Sequence, residues 1–124
     1  MKNPSKDFPE RYFEYVDISS IDNQSKRIIA TKKVLGKDAP SRARQLIKGD
    51  DVIISTVRPN LNSVAFVNGN LNNEICSTGF CILRADNNNF IPEYLFFISQ
   101  EQFFINDLVN KCKGQTTQQY QIKI

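Results

Sequence analysis

Asp50-Asp51 is the only adjacent carboxylate pair in the sequence, and paired carboxylates hold the metal in many nucleases. Successive strand residues point to opposite faces, however, so this pair cannot share one ion without a bulge. A Gly-Asp turn entering a strand accounts for it more simply. The chain has no histidine, which removes the commonest general base and the usual activator of a serine or cysteine nucleophile. The cysteines, Cys76, Cys81 and Cys112, have no histidine to complete a zinc set at the usual spacing. They read as small, buried, reduced apolar residues. No glycine-rich phosphate loop occurs, neither a dinucleotide fingerprint nor a Gly-Lys-Ser/Thr loop. No cofactor, no metal and no catalytic residue are expected.

What is left is charge and amide chemistry. The formal net charge is only +3, but it is unevenly placed. Residues 1–22 sum to −2 and residues 65–124 to −1. Between them lie nine basic residues, Lys26, Arg27, Lys32, Lys33, Lys37, Arg42, Arg44, Lys48 and Arg58, against three acidic ones, so residues 23–64 carry +6. A basic segment on an otherwise slightly acidic domain is the pattern of a polyanion-binding face. Gln45, Asn60 and Asn62 stand among these cations, and amide side chains can pair with adenine edges. Charge clusters are also commonly just solvated surface, so composition alone does not decide between the two.

The elements must present these groups. Residues 14–19 alternate polar and apolar, as a half-buried strand does. Residues 27–31 form a short β-branched run. Residues 41–48 contain good helix formers after Pro40, and Gly49 is placed to close that turn in a left-handed conformation. Residues 51–57 read as an apolar β-branched run, the kind covered on both faces. Residues 63–67 make another strand, Asn68-Gly69 a hairpin signal, and residues 75–77 and 79–84 the strands after it. From Pro92, apolar residues at Tyr94, Ile98, Ile105, Leu108 and Cys112 fall one or two turns apart and predict a helix or helix pair. The expected fold is one α+β domain over residues 1–124, a mainly antiparallel mixed sheet with a C-terminal helix or helix pair, and residues 1–7 a flexible N-terminus. No apolar run approaches the roughly 20 residues of a membrane span, and residues 1–7 lack the apolar core of a secretory signal. A cytoplasmic location is expected.

Three stretches occur in order: Ala39-Pro40-Ser41-Arg42-Ala43-Arg44, then residues 48–61 from Lys48-Gly49-Asp50-Asp51 to Arg58-Pro59-Asn60-Leu61, then residues 76–84, Cys76-Ser77-Thr78-Gly79-Phe80 onward to Arg84. Together they resemble the target recognition domains of type I restriction-modification specificity (S) subunits. Residues 15–21 look like the opening strand of such domains, and residues 92–97 with Gly114-Gln115-Thr116 look like the closing helix and the turn after it. The resemblance implies a non-catalytic component of a restriction system, reading half of a split target on double-stranded DNA. It also implies methyltransferase and restriction subunits as partners that supply any methylation or cleavage. The sequence departs from the two-domain family pattern in carrying one such domain and no long heptad-bearing helix.

The DNA-contact candidates are Arg42, Arg44, Arg58, Asn60, Asn62, Lys32, Lys33, Lys37 and Lys48. Pro59 stiffens the loop beside Arg58, lowering the entropy lost when that arginine is immobilised on a guanine edge. An Arg58 fixed inside the fold is the alternative. Asn60 and Asn62 share its loop and suit adenine or phosphate. On a helical turn Arg42 and Arg44 would diverge by about 200°, so one of them is expected on phosphate or in a structural pair. Lys32, Lys33 and Lys37 suit unspecific backbone contacts. Two rival functions stay open at this point. One is an S-like protein-interaction module that docks on a methyltransferase or restriction assembly, the other a nuclease using Asp50 or Asp51.

Overall fold

Tyr12–Val16 forms strand β1, and its side chains alternate so that Phe13 and Tyr15 are buried while Tyr12 is exposed. The computed structural model describes residues 2–56 and 63–84 and the backbone of residues 121–123. Strand β2 is Ile21–Asp22, β3 Arg27–Ile28, β4 Lys32–Leu35, β5 Ala43–Leu46 and β6 Val52–Ser55. Then come β7 at Val64–Phe66, β8 at Ile75–Ser77, β9 at Phe80–Arg84 and β10 at Gln121–Lys123. The predicted C-terminal helix at residues 92–113 lies outside the described residues.

These strands make two mixed sheets rather than one. The first has the order β4-β1-β8-β5 and the second β10-β9-β6-β7-β3-β2. In the first, β1 runs antiparallel to β4 and parallel to β8, and β5 runs antiparallel to β8. In the second, β6 pairs antiparallel with both β7 and β9, whereas β3–β7 and β9–β10 are parallel. Antiparallel pairs outnumber parallel ones among the described strands, in line with the expected α+β class.

The main core lies between the sheets. Val16 and Cys76 from the first sheet pack with Ile53, Ala65 and Ile82 from the second, closed by Ile47, Leu71 and Phe80. A second cluster of Phe13, Tyr15, Ala43 and Ile75 fills the opposite face of the first sheet, against Phe8, Val34, Ala39 and Leu46. That sheet is therefore buried on both faces, because neighbours such as Tyr15 and Val16 point opposite ways. Strand β6 is buried at every position; burying each of Val52, Ile53 and Ile54 stabilises the fold by about 1.5–3 kcal/mol relative to exposure.

Three expectations are corrected. Residues 41–48 are not helical, since β5 occupies their centre. Ala43, Gln45 and Ile47 are fully buried while Arg44, Leu46 and Lys48 are more exposed. This is a period-two pattern, disguised because one inward residue is a glutamine. Asn68-Gly69 does not close a hairpin. Gly69–Leu71 is a 3-10 turn, and the chain then passes from β7 in the second sheet to β8 in the first. The left-handed backbone expected at Gly49 belongs instead to Asp50, with φ 72°. The N-terminal residues pack on the first sheet. Pro4–Asp7 is a single helical turn, α1, with Pro4 buried, and the Lys2 amide donates to the Arg44 carbonyl at 2.9 Å. Gly36 explains the docking, because a Cβ there would lie 2.0 Å from the Phe8 carbonyl oxygen.

Candidate nucleic-acid interface

The register of the first sheet sorts the candidate residues by position. Tyr15 pairs with Lys32 and Ile75, and Ala43 with Ser77. The start of β4, the end of β1, the end of β8 and the start of β5 thus share one rim. Lys32, Asp17, Arg42 and Thr78 meet there. Tyr12 pairs with Leu35 at the other end, where Lys37 follows β4, and Lys48 follows β5 away from the rim, bonded to Asn73 on the chain before β8.

At the rim, Arg42 is exposed and its Nε donates to the Thr78 hydroxyl at 3.4 Å. The Thr78 amide returns a bond to the Arg42 carbonyl at 2.9 Å. Arg44 Nε donates to the Ser41 carbonyl at 2.9 Å. Arg42 is thus held at Nε by a side-chain hydroxyl and Arg44 by a backbone carbonyl, an arrangement that lowers the entropy cost of a bidentate contact through the Nη groups. Arg44 lies at an irregularity of the β5–β8 register, so the two do not share a helical turn.

Lys32 Nζ forms a 2.8 Å ion pair with Asp17. Asp17 also caps the 3-10 turn Ile18–Ser20. Partial burial pushes the Asp17 carboxyl up, but hydrogen bonds from Lys32 and Ser19 and the Lys32 charge outweigh this and hold it below its ordinary value. The hydrogen bond and charge of Asp17 raise Lys32 in turn, so Lys32 is a paired cation. A hollow of about 280 Å³ opens between these groups, lined among others by Tyr15, Asp17, Ile18, Arg42, Ser77 and Phe80. Burial, the largest influence on the Tyr15 phenol, raises it above the ordinary value and outweighs its bond with Ser77.

The other candidates separate from this group. Lys33 Nζ sits 5.2 Å from the centre of the Tyr12 ring, and Lys48 Nζ donates to Asn73 at 3.1 Å. Lys37 lies in the 3-10 turn Gly36–Asp38, its amide bonded to the Pro9 carbonyl. Arg58, Asn60 and Asn62 lie outside the described residues. The chain leading to them is anchored at the rim, because the Thr56 amide and hydroxyl both donate to the Gly79 carbonyl, at 2.8 and 2.9 Å. Across the base of that segment the Ser55 amide donates to the Ser63 carbonyl.

Gln45, whose amide suggested base reading, is fully buried. Its Nε2 donates to the carbonyls of Ser77 and Phe80, at 2.9 and 2.8 Å. Thr78 escaped the residue-by-residue reading, and its only sequence signal was a place in a longer resembling stretch. Asp50 and Asp51 do not form a metal pair. Asp51 is engaged by Arg84 and by the Lys48 amide, whereas Asp50 is exposed. No group of three or more metal-ligating side chains occurs among the described residues. Cys76 is buried and free, and burial pushes its thiol strongly up. Cys81 is disulfide-bonded, a departure from the expectation of three reduced thiols. No described helix is long and apolar enough to cross a membrane.

The fold is shared with solved structures. The chain aligns over 94% of its length with the HsdS subunit from Thermoanaerobacter tengcongensis, at 42% identity and a TM-score of 0.82. The likeness to type I specificity subunits is established in both fold and sequence. A second solved chain, from a study of complex assembly and conformational transition of the type I R-M system, matches at 43% identity and a TM-score of 0.82 over 95% of this chain. The specificity subunit of the type I restriction enzyme HindI from Haemophilus influenzae is 36% identical over 62 residues, half of this chain. The chain spans 14% of that subunit's length and 29% and 30% of the two solved chains. No protein-family model matches it.

Proposed function

We propose that this chain is a target recognition domain that reads sequence on double-stranded DNA within a type I restriction-modification system. On this reading it is non-catalytic and uses no cofactor. Methyltransferase and restriction subunits, its proposed partners, supply the chemistry. The observation that carries the reading is the specificity-subunit likeness over nearly the whole chain at more than 40% identity.

The rim gives the reading a physical form. Arg42 and Arg44, each tethered at Nε, suit bidentate contacts to phosphate or to a guanine edge. Lys32 stands beside them with its charge largely offset by Asp17. Arg58, Asn60 and Asn62 remain proposed contacts, since Thr56, just before them in the sequence, is anchored on this same rim. Lys33, Lys37 and Lys48 face elsewhere or are engaged within the fold, and are proposed to contribute long-range attraction only.

Selection of bound duplexes from a random pool tests the proposal. A single consensus should emerge, bound more tightly than scrambled duplex. Its affinity should fall steeply with salt as phosphates release counterions. Recovery of methyltransferase subunits with no duplex selectivity would instead favour an interaction module.

A further inference from the structure

The turn from Ser77 to Phe80 joins β8 in the first sheet to β9 in the second, and it is the point where the rim's parts meet. Gln45 spans it from beneath. One Nε2 amide donates to the carbonyl that enters the turn and to the carbonyl that leaves it. Inside the turn, the Gly79 amide donates to the Ser77 hydroxyl. On one flank the turn holds Arg42, through the Thr78 amide and hydroxyl. On the other it holds Thr56, through the Gly79 carbonyl. Thr56 is the last described residue before the segment bearing Arg58, Asn60 and Asn62.

We propose that Gln45 is a positioning residue for recognition: by clamping the Ser77–Phe80 turn it fixes Arg42 relative to Thr56 and the rest of the rim, and so sets sequence discrimination without touching DNA. The inference rests on the DNA-reading function proposed above. Its physical basis is that an apolar side chain of the same volume would seal the core equally well. Only a two-proton amide donor can satisfy both carbonyls at once. Buried carbonyls left without partners are costly, so the turn would shift to find new ones. A shift of one flank against the other moves Arg42 relative to Thr56 and the rim. Contacts to base edges depend on such placement, whereas attraction to the backbone does not.

The test compares Gln45→Met with wild type on the duplex selected by the wild-type protein and on a scrambled duplex of equal length. Gln45→Met should lower the ratio of the two affinities by at least about fivefold, the scale of one lost base contact, with the scrambled affinity nearly unchanged. Amide hydrogen exchange at Thr56 and Thr78 should quicken in the same variant. Thr56→Val, which keeps its shape but loses the hydroxyl bond to Gly79, should lower the ratio in the same direction and guards against a failure of Gln45→Met to fold. Ile47→Val, a buried change in the same strand line but away from the turn, should leave the ratio intact. An unchanged ratio in both Gln45→Met and Thr56→Val, or an equal loss in Ile47→Val, overturns the positioning role while leaving DNA reading in place. A wild type that binds both duplexes equally overturns the DNA reading, and the positioning role with it.

Discussion

Arg84 closes on Asp51 with two parallel bonds, Nε to Oδ1 at 2.9 Å and Nη2 to Oδ2 at 2.8 Å. The pair links the end of β9 to the residue before β6, and Asp51 also accepts the Lys48 amide at 2.8 Å. The carboxylate that looked like half of a metal site is therefore a structural staple. Its side chain is 1% exposed and that of Arg84 23%, so removing Asp51 takes the carboxylate from a partly buried guanidinium and leaves it the weaker 3.4 Å bond to the Leu46 carbonyl. Asp51→Ala should destabilise the domain by about 3 kcal/mol, near the low end for broken buried pairs. Denaturant unfolding measures this, and a loss below about 1 kcal/mol would place the pair among weak surface bridges.

Gly36 is required by space rather than by backbone angle. A Cβ there would meet the carbonyl oxygens of Phe8 at 2.0 Å and Pro4 at 2.9 Å, both backbone atoms. Gly36→Ala should cost about 1–3 kcal/mol, the range for forced overpacking, and should detach α1 from the turn at residues 36–38. Faster exchange of the Phe8 amide, which donates to the Pro4 carbonyl, would report that detachment.

The Asp17–Lys32 pair predicts a pH dependence with a definite sign. The folded carboxyl lies below its ordinary value of 3.8, so its stabilisation is present above that pH and is lost as pH falls through the lowered folded value. Lys32 is raised above 10.5, so its share is present below that pH and lost as pH rises past it. Asn is as good a cap as Asp, and Asp17→Asn therefore isolates the charge. The stability gap between wild type and Asp17→Asn should be within about 1 kcal/mol at neutral pH, as for exposed pairs. It should shrink in high salt and close below pH 3.8. Melting curves across acid pH check this, and a gap that persists there would assign the effect to something other than charge.

How much of this could be read beforehand depended on whether the pattern was local. Strand β6 announced itself by an apolar β-branched run and β1 by alternation. Strand β5 did not, because its central inward residue is Gln45, and a buried amide satisfied by two distant carbonyls has no signature in its neighbours. The family likeness was carried by ordered segments and survived these local errors. The rim itself was only half readable. Lys32 and Arg42 come together through the β1–β4 and β5–β8 registers, whereas Lys37 and Lys48, equally basic and nearby in sequence, are carried away from the rim by the same strands. Charge counting along the chain cannot separate those two pairs, since strand direction decides between them.

The central claim is that the rim bearing Arg42, and not the opposite end of the first sheet, meets the double helix. The most direct measurement is affinity for the selected duplex in Arg42→Ala beside Lys37→Ala and Lys48→Ala. Arg42→Ala should weaken binding by about 1–3 kcal/mol, as loss of a bidentate contact does, with each lysine variant within about 0.5 kcal/mol of wild type. Unchanged binding in Arg42→Ala together with a large loss in either lysine variant would contradict the account.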